Sequence, residues 1–130
     1  MIAANIGSVE IEVVGDKPEN LSSWLWDYDA RELLEEEKTE DSPHLRKGKR
    51  GFEGALYKTE EFLESHPFGT VPAAFSPDGE IGIFESNSIL RSIARSSKHA
   101  TLYGKSNFEA SRIDSYLDAN LVFAREAQVY

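Results

Sequence analysis

The segment from Thr70 to Ala94 has the least freedom of any part of this chain. Thr70 to Phe75 reads as a short strand, yet Pro72 sits inside it. Proline has no amide to give to a ladder, so it is confined to sheet edges and bulges. Ser76-Pro77-Asp78-Gly79 follows, with proline second and glycine last, the order that a type I turn favours. Glu80 to Phe84 predicts the return strand of a hairpin. Ser86 is then placed to cap a helix whose Ile89, Leu90, Ile93 and Ala94 share one apolar face. A hairpin feeding directly into an amphipathic helix points to an α/β fold.

The flanking sequence is read more coarsely. Met1 to Gly7 is apolar, alanine-rich and closed by glycine, which predicts the last turns of a helix. Ser8 to Val14 alternates apolar and acidic residues with period two and predicts a strand burying Val9, Ile11 and Val13. Asn20 is a cap for a helix carrying Leu21, Trp24, Leu25 and Tyr28 on one face, continued past Leu33 and Leu34 among glutamates. Residues 38–56, with the basic run Arg46 to Arg50, read as a long exposed loop. Thr59 caps a short acidic helix, Glu60 to Ser65, which Pro67 ends. Ser106 and Glu109 form a capping box for a long helix with Ile113, Leu117, Leu121 and Ala124 on one face, running to Tyr130.

Composition narrows the function classes. The 130 residues suit about one domain, and they contain no cysteine, which excludes disulfides, thiolate metal sites and a cysteine nucleophile within this chain. The net charge of −9 opposes general nucleic-acid binding, because phosphate neutralisation dominates that affinity. No apolar run reaches the ~20 residues that span a bilayer. The N-terminus has no basic start and carries Glu10 and Glu12, unlike a secretory signal. The expectation is a soluble, cytoplasmic protein without nucleic-acid or membrane partners. His44, His66 and His99 lack ligand spacing, so no metal site is expected. Asn20-x-Ser22 matches a glycosylation sequon by chance, Trp24, Trp26 and Tyr28 read as core or subunit contact, and the basic run reads as a solvated loop.

Two short motifs can carry chemistry. A cis Val71-Pro72 bond would reconcile the proline with a strand end and leave the Val71 backbone free to pair with an extended peptide ligand. Glu85-Ser86 stands where a helix begins: free amides and the dipole favour a carboxylate, the Ser86 hydroxyl adds a bond, and Glu85 accepts from an amine. Together they describe a pocket for an α-amino-acid group beside a peptide-pairing edge.

Pro67-Phe68-Gly69-Thr70-Val71-Pro72-Ala73, the Asp78-Gly79 hairpin and Phe84-Glu85-Ser86-Asn87-Ser88-Ile89 resemble the P-x-G-x-V-P and E-S-x-A-I motifs of the glutathione S-transferase family. The resemblance covers about residues 59 to 130, and residues 1–14 more weakly. It implies an incomplete thioredoxin-like N-terminal domain over 1–98, with an insertion at about 18–57. Residues 99–130 then form the linker and first helix of an all-α C-terminal domain. It implies further that Val71 and Pro72 hold the cysteinyl backbone of glutathione, that Glu85 and Ser86 hold its γ-glutamyl end, and that glutathione is the co-substrate for attack on a small electrophile. The first strand and the activating residue are expected to be absent from this sequence, since Met1 to Gly7 resembles the tail of the family's first helix. Ser8 and Tyr57 are poorly placed for that role, so the catalytic residue stays unassigned and the chain alone is expected to be inactive. A similar domain occurs in the gamma subunit of translation elongation factor 1, whose E-S-N-A-I stretch resembles Glu85 to Ile89. That resemblance implies a non-catalytic scaffold, with a translation-factor subunit or a second copy of the chain as partner.

Overall fold

A computed structural model describes residues 1–47, 55–99 and 101–127. The chain groups into two compact units, Glu12–Phe84 and Met1–Ile11 with Glu85–Tyr130. The arrangement is mixed α/β, compatible with an incomplete thioredoxin-like domain followed by helices.

In the Glu12–Phe84 unit, four short strands form one sheet: β1 (Trp24–Trp26), β2 (Arg31–Glu32), β3 (Leu45–Lys47) and β4 (Ala55–Lys58), in the order β2-β1-β4-β3. β1 runs parallel to β4, with Leu25 opposite Tyr57, while the two outer pairs are antiparallel. The helix expected from Asn20 is therefore a 3-10 turn, Pro18–Ser23, that gives way to a strand. The reason is long-range: β1 finds hydrogen-bonding partners on both sides, and Leu25 and Trp26 are buried in the sheet. Period two then sets Trp24 and Trp26 on one face, where their rings stack at 5.9 Å. Leu21, Trp24 and Leu25 fit a helical face equally well, and only the pairing decides between the two. Leu33 is buried beside this sheet, and the glutamates after it form only a 3-10 turn, Glu35–Glu37. The long loop expected over 38–56 in fact contributes β3 and the start of β4, and residues 48–54, including the rest of the basic run, lie outside the described residues. The expected Ser8–Val14 strand does not form, and Ile11, Val13 and Val14 are exposed, because no neighbouring strand among the described residues pairs with them.

α2 (Glu60–Ser65) begins as its sequence predicts: the Phe62 amide donates to the Thr59 hydroxyl at 3.1 Å. It packs on the hairpin of β5 (Ala73–Phe75) and β6 (Gly82–Phe84), which pair antiparallel with Ala73 opposite Phe84. The contact is backbone against backbone, since a Cβ on Gly82 would stand 2.1 Å from the Ser65 carbonyl oxygen. Around it sit Phe62, His66, Phe75 and Phe84 in an aromatic cluster with ring centroids 5.3–5.8 Å apart. The turn closes as expected, with the Gly79 amide donating to the Ser76 carbonyl at 2.8 Å and Gly79 at φ 77°. Tyr28 covers it from outside, donating its hydroxyl to the Pro77 carbonyl at 2.7 Å.

The other unit is helical. α1 (Ile2–Gly7) packs against α3 (Ser86–Arg95), and α4 (Asn107–Ala127) packs against α3 in turn. Gly7 lies so close to α3's end that a Cβ would meet Ser97 Oγ at 2.9 Å, and its carbonyl accepts from the Ser97 hydroxyl and the Lys98 amide. Asn87 donates across to the Leu117 carbonyl at 2.7 Å, and Arg91 bonds to both Asp114 and Asp118, so α3 holds α4 by polar ties along its length. The capping box at α4 is shifted by one: Ser106 Oγ accepts from the Glu109 amide, but the Glu109 carboxylate takes the Lys105 amide rather than that of Ser106. Residues 128–130, the expected end of this helix, lie outside the described residues. Among the described residues no helix is long and apolar enough to cross a membrane.

Two measurements check this architecture. Gly82→Ala forces a methyl into the Ser65 carbonyl and is expected to cost at least about 1–3 kcal/mol in denaturant unfolding, where overpacking is the only change; a neutral effect would contradict the α2–β6 contact. Glu37 accepts two bonds from Arg31 and one from the Leu34 amide, and the Arg31 guanidinium above all holds its carboxyl down at about 2. A depressed carboxyl stabilises the fold above its ordinary value of 4.5 and loses that contribution as pH falls through about 2. Acid titration of stability is therefore expected to show a component between those values that Glu37→Gln removes.

Candidate functional site

The four expected ligand residues lie in the two units, two in each. Val71 and Pro72 immediately precede β5, and their peptide bond is cis, as expected. Val71 is 40% exposed, and its backbone amide and carbonyl have no partner among the described residues. A strand end with unmet donor and acceptor can pair with an extended chain.

What fixes this edge is the turn before it. His66 is fully buried, its ring stacked on Phe62 and tilted against Phe84. The Gly69 amide donates both to the His66 carbonyl at 2.8 Å and to His66 Nδ1 at 3.1 Å. With Nδ1 accepting, the neutral ring carries its proton on Nε2, which has no partner. Sequence spacing marked His66 only as lacking metal-ligand company; its structural use as the plug under the Pro67–Gly69 turn is a tertiary fact. Gly69, at φ 56°, lets the turn approach Leu63 and Lys58 closely.

Lys58 is the residue that the sequence reading missed. Its Nζ would lie 3.1 Å from a Cβ on Gly69, and it has no ion-pair partner among the described residues. Partial burial, with Arg46 as a lesser cause, pulls its ammonium below the ordinary lysine value. An unpaired, half-buried cation against the Gly69 turn, two residues before Val71, is suited to a carboxylate. The signal available in sequence was its position immediately before the Thr59 cap, at the end of a strand that the sequence pattern concealed.

In the helical unit, Glu85 and Ser86 open α3, but their roles are exchanged relative to expectation. Glu85 occupies the cap position and Ser86 is the first helical residue, with no side-chain capping bond formed. The Glu85 carbonyl accepts from the Ser88 and Ile89 amides at 2.9 and 3.0 Å. The Ser86 and Asn87 amides have no partner among the described residues, and both Glu85 and Ser86 are exposed. Free amides at a helix start favour an anion, the Ser86 hydroxyl can add a donor, and the Glu85 carboxylate can accept from a cation. Glu85 itself stands at φ 67°, ψ 124°, a backbone region that suits glycine far better than a side chain.

Among the described residues no group of three or more histidine or acidic side chains could hold a metal ion. Ser8 and Tyr57, already set aside as activating residues, take up the C-cap of α1 and the middle of β4.

Over 65 residues, half of the chain, the sequence is 42% identical to elongation factor 1-gamma 1 of Oryza sativa subsp. japonica. Over the same length it is 40% identical to elongation factor 1-gamma of Prunus avium and 38% identical to probable elongation factor 1-gamma 2 of Arabidopsis thaliana. The aligned part spans only 15% of each of these relatives. No family profile and no solved structure matches the chain.

The strained cap gives a test that separates stability from binding. Glu85→Gly is expected to stabilise the chain by about 1 kcal/mol by relieving the positive φ, whereas Glu85→Ala is expected not to. Thermal unfolding of the three proteins side by side checks this, and equal midpoints for both variants would remove the strain.

Proposed function

We propose that this chain is a glutathione-transferase-like assembly module of the elongation factor 1 gamma kind, working in the cytoplasm to hold translation-factor subunits together. The observation that carries this reading is the 42% identity over half of the chain to a protein named elongation factor 1-gamma. In this reading residues 1–98 are an incomplete thioredoxin-like domain and 99–130 the linker and first helix of a helical one. The ligand corner is a retained feature of that ancestry: Val71 and Pro72 meet the cysteinyl backbone of glutathione, Glu85 and Ser86 its γ-glutamyl end, and Lys58 offers a counter-charge for a carboxylate.

A conjugating enzyme is the second reading, and the unpaired Ser86 and Asn87 amides favour it. Its reaction, thiolate attack on a small electrophile, needs a donor to stabilise the thiolate. No residue of the chain is assigned that role.

Mixing the purified chain with the other subunits of elongation factor 1, followed by size-exclusion chromatography with light scattering, tests the assembly reading. Co-elution in a fixed ratio is expected; a chain that elutes alone or only as its own dimer defeats it. Calorimetry with glutathione, and with cysteinylglycine as the control lacking the γ-glutamyl group, tests the ligand corner. Ser86→Ala is expected to weaken glutathione binding by about 0.5–1.5 kcal/mol, and Glu85→Gln by more, since a charge-assisted bond is stronger. Equal affinity for the two ligands would reduce the corner to a helix start. Turnover of an aromatic electrophile well above the uncatalysed rate would put the enzyme reading first.

A further inference from the structure

The chain carries 23 acidic residues, yet from Ser86 to Phe108 there is none, while Arg91, Arg95, Lys98, His99 and Lys105 all fall in that stretch. Segregation of this kind concentrates positive potential in an otherwise acidic molecule. Arg91 is neutralised by Asp114 and Asp118. Arg95 and Lys105 have no ion-pair partner among the described residues. Both line a cavity of about 280 Å³ in the helical unit, together with Ser97, His99, Tyr103 and Ser106.

The cavity is a built one on its arginine side. The Arg95 guanidinium lies over the Tyr103 ring, 4.9 Å from its centroid, and donates to the Tyr103 hydroxyl at 3.4 Å. Tyr103 in turn donates to Asp114, which Arg91 also holds, so the ring that carries Arg95 is fixed to α4. Stacking of this kind orients the planar fork and leaves its other N–H groups to face a ligand. Ser106 accepts from the Glu109 amide and keeps its hydroxyl hydrogen without an acceptor among the described residues. Two acidic groups that bond to residues of the cavity are engaged there: the Glu109 carboxylate on the Lys105 amide, and Asp114 on Tyr103 and Arg91.

We propose that this cavity binds the phosphoryl group of a small phosphate or phosphomonoester, held by Arg95, Lys105 and His99 with the Ser106 hydroxyl. A doubly charged oxyanion matches several cationic and hydroxyl donors around one space, where a single carboxylate would use only part of them. A long polyanion is disfavoured by the net charge of −9 on the chain as a whole. None of the residues assigned to glutathione lies in this cavity, so the site stands or falls independently of the proposed function.

The test is an NMR titration of the full chain at low ionic strength with inorganic phosphate, with glycerol 3-phosphate and with chloride. Saturable shifts centred on Arg95 to Ala110 are expected for both phosphates and not for chloride; the tighter of the two identifies the free or the esterified form. Arg95→Gln and Lys105→Gln are each expected to weaken binding by about tenfold, the loss of one charge-assisted bond. Lys47→Gln, which removes a cation from β3, is expected to leave it unchanged. Should Arg95→Gln disturb folding, Lys105→Gln keeps the test, because that side chain is exposed. Absence of saturation, indifference to Lys105→Gln, or an equal loss with Lys47→Gln would each overturn the site, the last by showing diffuse charge attraction.

Discussion

The Glu12–Phe84 unit depends on one close approach, that of Gly82 to the end of α2. With the Ser65 carbonyl where a Cβ would stand, β6 lies directly on the helix backbone, and the hairpin has no room to slide. Burial of His66 follows from it, because the chain leaving α2 must turn at once, and the imidazole fills the space between Phe62 and Phe84. The ring's one satisfied nitrogen then accepts the Gly69 amide and shapes the turn that delivers Val71 and Pro72. An orphaned Nε2–H is a desolvation cost of about 1–3 kcal/mol, offset here by aromatic contacts on both sides. The exposed Val71–Pro72 edge is thus a consequence of packing several residues away.

The helical unit is organised by charge more than by apolar burial. Ala4 is its only buried apolar side chain among the described residues, while Arg91 ties α3 to α4 through two aspartates. Tyr103 and Arg91 together pull the Asp114 carboxyl below the usual carboxylate range, and the Arg91 guanidinium is correspondingly raised. Consuming Arg91 in this way leaves Arg95, Lys98 and Lys105 without ion pairs among the described residues of an acid-free stretch, and of these Arg95 and Lys105 line the cavity. Structure and binding capacity therefore divide between neighbouring cations on the same helix and the loop after it.

How far the sequence could be read depended on the range of the interactions. Thr59 as a cap, the Ser76–Gly79 turn, the β5–β6 hairpin and the amphipathic α3 are local, and each was legible because a side chain or a glycine acts within a few residues of itself. Glu85 and Ser86 stand at the start of α3 for the same local reason, whereas Thr70 to Pro72, which read as part of the strand, precede β5. Trp24 to Trp26 reads as helix in the sequence because its partners lie on β4 and β2, far along the chain or across a turn that the pattern does not mark. Ser8 to Val14 differs in the opposite sense: alternation supplies a strand's faces but cannot supply the neighbour that makes it one.

The sequence by itself determined that the chain is acidic and cysteine-free, that a hairpin runs into an amphipathic helix, and that this helix and the loop after it carry basic residues and no acidic one. These are properties of composition and of contacts within a turn or two. Tertiary structure alone decided that Glu85 rather than Ser86 takes the strained cap position, that Lys58 stands unpaired beside Gly69, and that Arg91 is spent on α4 while Arg95 is not. The last two depend on which distant backbone or side chain comes within a few ångströms, a distance that no local pattern encodes.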